Sequence, residues 1–268
     1  MSFSVEFWGD YDFVYNTFQS HRLGLKDLIY MFAKKYESEV EYAKGMKRIY
    51  DMNYAVTKMP SLLNGILTFK NDLYNQYEYS MEFTSNIQDE IIKPLEMFLT
   101  KQSNLGKYLN NEVRKIEKEF RASVDKLEKS RLKFHSSAKL AEDSKIQSEM
   151  GKINPNFSQE VKTRIEIKAQ NFLREAKENE RFYLANINLA NNTREVYIET
   201  MKKMMNEFQK LEENLIDMIK DCLRKYIIYQ VALLRNLQYD IEKKASVRNI
   251  NFIVVANRLG NGKHKYSF

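Results

Sequence analysis

Turn-forming residues are scarce in this chain: its 268 residues hold eight glycines and three prolines, where average usage would give roughly 30 of the two together. A β-sandwich, a barrel or an α/β fold needs a turn every 8–12 residues or so. Those classes are excluded, and long uninterrupted helices remain. A single cysteine, Cys222, rules out a disulfide framework and fits a reducing compartment. No run of uncharged apolar residues reaches the roughly 18 that a membrane-spanning helix requires. The first ten residues have neither the basic nor the apolar region of a signal peptide. The expected location is therefore cytoplasmic, peripheral to membranes if associated with them.

The raw material for catalysis is also sparse. His21, His135 and His264 stand far apart, with no recurring ligand at metal-binding helical spacing. Cys222 has no histidine nearby, and no glycine-rich phosphate loop or dinucleotide fingerprint occurs. Carboxylates are mixed with lysine and arginine at i,i+3 and i,i+4, as on a solvated helix. An enzyme is not expected, nor is a metal or a cofactor.

What the chain does have is helical periodicity. Val113, Ile116, Phe120, Val124, Leu127 and Phe134 advance by threes and fours, as do Val161, Ile165, Ala169, Phe172, Ala176 and Tyr183. Breakers cluster at Met59-Pro60, Pro94, Gly151 to Pro155 and Gly260 to Gly262. They divide the chain into three long helices, about 11–58, 61–149 and 158–247. Pro94 is expected to kink the second helix, and Ser158 to cap the third. A helix of about 85 residues is roughly 130 Å long, more than one globule covers. The spacing predicts an all-α, elongated antiparallel bundle of three helices per chain, paired with a second copy in a symmetric dimer.

The net charge of +7 is unevenly spread. Residues 111–185 carry 17 basic and 13 acidic groups, the tail 246–268 carries four basic and none acidic, and residues 1–110 carry 12 and 14. A basic sector suits an anionic surface, either lipid headgroups or a nucleic-acid backbone. The plain alternative is charge that merely solvates long helices. No helix-turn-helix, basic-region fork or base-stacking motif accompanies the charge, so nucleic acid is not expected as a partner.

Two stretches go further than composition. The first opens with Phe7-Trp8 and continues through Phe32-Ala-Lys34-Lys35-Tyr-Glu37-Ser-Glu39-Val40-Glu41-Tyr42-Ala43-Lys44-Gly-Met46-Lys47-Arg48-Ile49. The second runs Ile91-Ile92-Lys93-Pro94-Leu95-Glu-Met-Phe98, followed by the basic elements at 126–134 and 138–142. In order and spacing these resemble F-BAR domains, the Fes/CIP4-homology branch of the BAR superfamily, across residues 1–145. The resemblance implies an F-BAR domain over about 1–250, with 251–268 as a tail segment. It also implies a curved homodimer whose basic face docks on anionic phospholipid, phosphatidylserine or phosphoinositide, and senses or induces curvature. Such a dimer would link membrane to cytoskeletal or endocytic proteins.

Carried over by position, the membrane-facing cations are Lys34, Lys35, Lys47, Arg48, Lys107, Arg114, Lys115, Lys118 and Arg121. Phe7, Trp8 and Phe13 fall where the family packs its core or dimer contact. Ile153 and Phe157, on the hairpin between the second and third helices, suit either a shallow membrane wedge or a tip-to-tip contact for higher oligomers. The alternative is a dimeric protein-interaction scaffold of the same fold, a cytoskeletal adaptor with little lipid binding, which suits the near-neutral first 110 residues.

Overall fold

The computed structural model describes residues 2–53 and 60–260, with residues 61 and 245–260 as backbone alone. Five α-helices follow one another: α1 (Phe3–Glu6), α2 (Tyr11–Asp51), α3 (Pro60–Ile87), α4 (Lys93–Ile153) and α5 (Gln159–Gly260). A π-helical turn, Gln88–Ile92, joins α3 to α4 without a break. No strand occurs among the described residues.

At Pro94, where the sequence leads one to expect a kink, the helix widens into this turn for a physical reason. Proline has no N–H to give the carbonyl four residues back, and its ring crowds that carbonyl. The widened turn absorbs the misfit: the Lys93 N–H reaches the carbonyl of Gln88, five residues away. The misfit costs no packing, because Ile91, Ile92 and Leu95 are all buried.

Helix ends differ from the spacing at two places. α2 closes at Asp51 rather than at 58, where the Met52 N–H bonds the Ile49 carbonyl three residues back and tightens the last turn; residues 54–59 lie outside the described residues. α5 runs on to Gly260 instead of stopping at 247, since Gly260 is the first breaker after Pro155. The expected tail therefore begins as helix, and its residues 261–268 lie outside the described residues. The Ser158 cap is as expected, its Oγ accepting the Val161 N–H at 3.4 Å.

Two compact units share these helices. One comprises Asn16–Asn104 with Leu211–Phe268. Its core draws Leu25, Ile29 and Phe32 from α2, Phe83 and Ile87 from α3, Leu95 from α4, and Leu215, Cys222 and Leu233 from α5. Polar clamps flank that core: Asp240 accepts from Asn75 at 2.6 Å and from Tyr79 at 3.3 Å, and Lys244 pairs with Asp72. Burial pushes the Cys222 thiol above its ordinary range. The native protein is therefore expected to resist Ellman's reagent at pH 8 and to react at once in denaturant, read as absorbance against time.

The other unit comprises Met1–Tyr15 with Leu105–Lys210. Tyr11, Val14, Leu109, Val113, Met201, Met205 and Phe208 are buried in it. The Phe3 N–H donates to Gln209 Oε1, and the Tyr11 hydroxyl to Asn110 Oδ1, both at 3.0 Å. Gly9 turns the chain between α1 and α2 at φ 93°, a conformation that strains any residue with a Cβ. Gly9→Ala is expected to cost about 1–2 kcal/mol, seen as a lower denaturation midpoint.

Farther along the α4–α5 hairpin the interior becomes small and polar: Ser123, Ser130, Ser137 and Ser144 face it at seven-residue spacing, with Ala176, Asn179, Asn186 and Ala190 from α5. The first three serines donate to the carbonyl three residues back in their own helix, which satisfies them without a partner. Between these layers Phe120 stacks on Tyr197 and Phe134 on Tyr183.

Candidate functional site

The nine basic residues expected on the membrane face divide by what they touch. On α2, Lys34 donates to Glu37 at 2.6 Å and Lys35 to Glu39 at 2.5 Å. These hydrogen bonds hold both ammoniums above their usual range. Lys47 pairs with Asp51 at 3.2 Å, and its Nζ lies over the rings of Tyr50, Tyr74 and Tyr77 at 4.7, 5.3 and 5.8 Å. Lys47 joins the end of α2 to α3 and is not a free charge. Arg48 alone of this group makes no ion pair among the described residues.

On α4 the balance is reversed. Lys107, Lys115 and Lys118 are exposed and make no ion pair among the described residues. Arg114 is committed: it pairs with Asp12 at the start of α2, with Glu117 at 2.9 Å, and lies over the Tyr11 ring. The hydrogen bond to Asp12, then that to Glu117, raises its guanidinium further above neutrality. Arg121 reaches Glu117 at 3.5 Å.

Lys107, Arg114, Lys118 and Arg121 share one face of α4, because steps of seven, four and three return to nearly the same angle. Lys129 and Lys139, passed over in the sequence, continue that face and are exposed without ion pairs among the described residues. The signal for them is their spacing: Lys129 lies 11 residues beyond Lys118, and Lys139 a further 10. They were hidden by Asp125 and Glu128, of which Glu128 is held by Arg131.

The three aromatics expected in the core or at a dimer contact differ in their cover. Within the chain Trp8 is 43% exposed and Phe13 50%, while Phe7 is half-buried and stacks on Phe13 at 5.4 Å. The short α1 ends at Glu6, and Trp8 lies in the turn between it and α2. The tip pair also divides: Ile153 is 83% exposed, whereas the Phe157 ring folds back towards Gly151.

Among the described residues no three histidine, cysteine or carboxylate side chains gather where they could hold a metal ion. No helix among them is long and apolar enough to cross a membrane.

Solved structures carry the same arrangement. The Imp2 F-BAR domain superimposes with a TM-score of 0.79, covering 99% of this chain and 89% of that one at 15% identity. The Hof1p F-BAR domain superimposes with a TM-score of 0.82, covering 100% and 99% at 11% identity. This chain has the F-BAR fold. Identities this low fix the fold and leave the chemistry of the F-BAR surface to this chain's own residues. No family model matches the sequence.

Among curated proteins of Dictyostelium discoideum, GTPase activating protein homolog 3 is 25% identical over 233 residues, 83% of this chain and 16% of that protein. GTPase activating protein homolog 1 is 25% identical over 231 residues, 81% of this chain and 24% of its own length. An SH3 and F-BAR domain-containing protein is 23% identical over 189 residues, 70% of this chain and 48% of its own length. The chain thus spans a quarter or less of the first two relatives and about half of the third.

Proposed function

We propose that this chain is a membrane-docking scaffold: a homodimer that settles on anionic phospholipid through the exposed face of α4 and couples membrane shape to cytoskeletal or endocytic proteins at the cytoplasmic leaflet. The observation that carries this reading is the row of uncommitted ammoniums. Lys107, Lys115 and Lys118, extended by Lys129 and Lys139, face solvent with no carboxylate to neutralise them among the described residues. Each contributes about 1 kcal/mol near an anionic leaflet. A helix holds them at fixed spacing, so little ordering entropy opposes their sum.

Pairing with a second copy rests on a different face. Ile216, Leu223, Ile227, Leu234 and Ile241 are exposed on one side of α5 and recur at sevens and fours, the pattern of a helix that buries itself against another. Trp8 and Phe13 are also exposed and suited to such a contact.

The protein-scaffold reading is favoured by a specific observation too: Lys34, Lys35, Lys47, Arg114 and Arg121 are all paired within their own chain. The two readings separate in one experiment. Co-sedimentation with vesicles of rising phosphatidylserine content is expected to show binding that climbs with anionic lipid and vanishes at high salt. A folded dimer that stays in the supernatant at every composition moves the assignment to the protein scaffold. Light scattering on the same sample reads the dimer independently.

A further inference from the structure

In the unit built from Asn16–Asn104 and Leu211–Phe268, a pocket of about 320 Å³ opens between α2 and α4. Arg22 and Lys26 line it from α2, Ser103 and Asn104 from α4, and among the described residues no carboxylate belongs to its wall. Arg22 donates to Ser103 Oγ at 2.5 Å. That bond fixes the guanidinium and leaves its charge uncompensated, because a hydroxyl is neutral. Lys26 and Asn104 are exposed, and neither has an ion pair or a side-chain hydrogen bond among the described residues. Two positive charges and two further donors, the Ser103 hydroxyl and the Asn104 amide, therefore stand around one space with no acceptor in it.

We propose that this pocket receives the phosphate of a phosphorylated side chain, so that the surface between α2 and α4 docks a phosphopeptide segment of a partner protein. Charge complementarity names the occupant. A phosphorylated serine or threonine carries close to two negative charges and three acceptor oxygens, and the two cations with their two neutral neighbours answer both the charge and the need for donors. The proposal gives a chemistry to the protein-coupling half of the scaffold reading, on which it rests, and owes nothing to lipid docking.

Apolar residues on the same surface favour a peptide over a lipid headgroup or free phosphate. Leu23 and Leu99 belong to the pocket wall, and Leu23 and Tyr30 are both exposed on α2. They lie seven residues apart with Lys26 between them, so the three share one face of the helix over about 10 Å. Met97, exposed on α4, stands seven residues before Asn104 and continues the opposite side. An extended chain covers that length in about three residues. A phosphoresidue held at Lys26 therefore sets its immediate neighbours over Leu23 and Tyr30. The polyol of a headgroup, or phosphate alone, leaves those apolar side chains uncovered. One cationic pocket that reads the phosphate, with apolar contacts beside it, is a recurring way to recognise a phosphorylated motif.

The test is fluorescence anisotropy at physiological salt with two pools of short labelled peptides, one with phosphoserine fixed at the centre and one with serine. Both pools are randomised over apolar residues on each side of the centre. Wild type is expected to bind the phosphoserine pool saturably and the serine pool at least about tenfold more weakly. Lys26→Ala is expected to weaken binding of the phosphoserine pool by about tenfold and to leave the serine pool unchanged. Lys26 is exposed without an ion pair among the described residues, so this variant keeps the wild-type fold. Arg22→Gln is expected to weaken the phosphoserine pool further, and Leu23→Ser to weaken it several-fold without any change of charge.

Pools that bind alike overturn the proposal, as does a Lys26→Ala variant that binds the phosphoserine pool as wild type does. Binding to phosphatidylinositol bisphosphate vesicles that Lys26→Ala abolishes, with neither pool bound, assigns the pocket to a lipid headgroup and also overturns it. A mass in light scattering that Leu23→Ser halves assigns the surface to a second copy, with the same result. Lipid docking is tested apart. A protein that sediments with phosphatidylserine vesicles and ignores both pools defeats this proposal alone, and one that binds the phosphoserine pool but no vesicle defeats lipid docking alone.

Discussion

Replacing Lys107, Lys115 and Lys118 together by glutamate is expected to weaken binding to phosphatidylserine vesicles by about 100-fold or more. Three ammoniums near an anionic surface account for about 3 kcal/mol, a factor near 150 at about 1.4 kcal/mol per decade, and three new carboxylates add repulsion. Since none of the three makes an ion pair among the described residues, the fold has little to lose: surface changes of this kind stay within about 0.5 kcal/mol each. A matched change at Lys34 and Lys35 is expected to move binding only a few-fold, because Glu37 and Glu39 already neutralise both. Arg114 makes a poor probe. Its loss frees Asp12 and uncovers the Tyr11 ring, so weaker binding would be confused with a loosened start of α2. The assay is co-sedimentation at two salt concentrations, where the triple variant is also expected to show the flatter salt dependence. Wild-type affinity in the triple variant removes the α4 face from the account of lipid docking.

How much of this was legible in the sequence depends on whether the determinant is local. Pro94 and Ser158 act on their own backbone, so an irregular turn at the one and a cap at the other followed from chemistry within a few residues. The stop expected at 247 is overrun because nothing breaks the helix before Gly260. The fate of the cations was half visible. Lys34 with Glu37 and Lys35 with Glu39 lie within one helical turn, but so do Lys145 with Glu142 and Glu149, which stay apart. Spacing permits a pair, and rotamer and neighbours decide it. The tie between Arg114 and Asp12 spans 102 positions, and no local pattern reports it. The serines at 123, 130, 137 and 144 gave no apolar signal, yet each lies buried. Three of them bond their own helix, which lets α4 and α5 approach closely.

Phe208→Ala is expected to cost about 3–5 kcal/mol in unfolding free energy, the largest effect of any single change proposed. Phe208 is wholly buried on α5, with the rings of Tyr11 and Tyr15 at 5.9 and 6.1 Å, both set edge-on. Edge-on aromatic pairs add about 0.5–1.5 kcal/mol each beyond burial. Removing the ring empties the space on which the first turns of α2 rest. The loss extends to polar groups: the Tyr11 hydroxyl is bound to Asn110, and burial pushes its phenol far above the ordinary value. If α2 lifts, Asn110 loses its partner and the Arg114–Asp12 pair opens to solvent. Phe208→Leu keeps most of the volume and is expected to cost roughly a third as much. Hydrogen exchange locates the damage: faster exchange confined to residues 3–15 and the facing turns of α4 and α5 marks the undocking of α1 and the start of α2. A loss under about 1 kcal/mol, or exchange that rises evenly through the chain, means that the N-terminal segment is not held by this aromatic cluster. Should the segment undock while α4 stays folded, lipid binding is expected to survive, because Lys107, Lys115 and Lys118 take nothing from Phe208; the two variants therefore separate the docking face from the support beneath it.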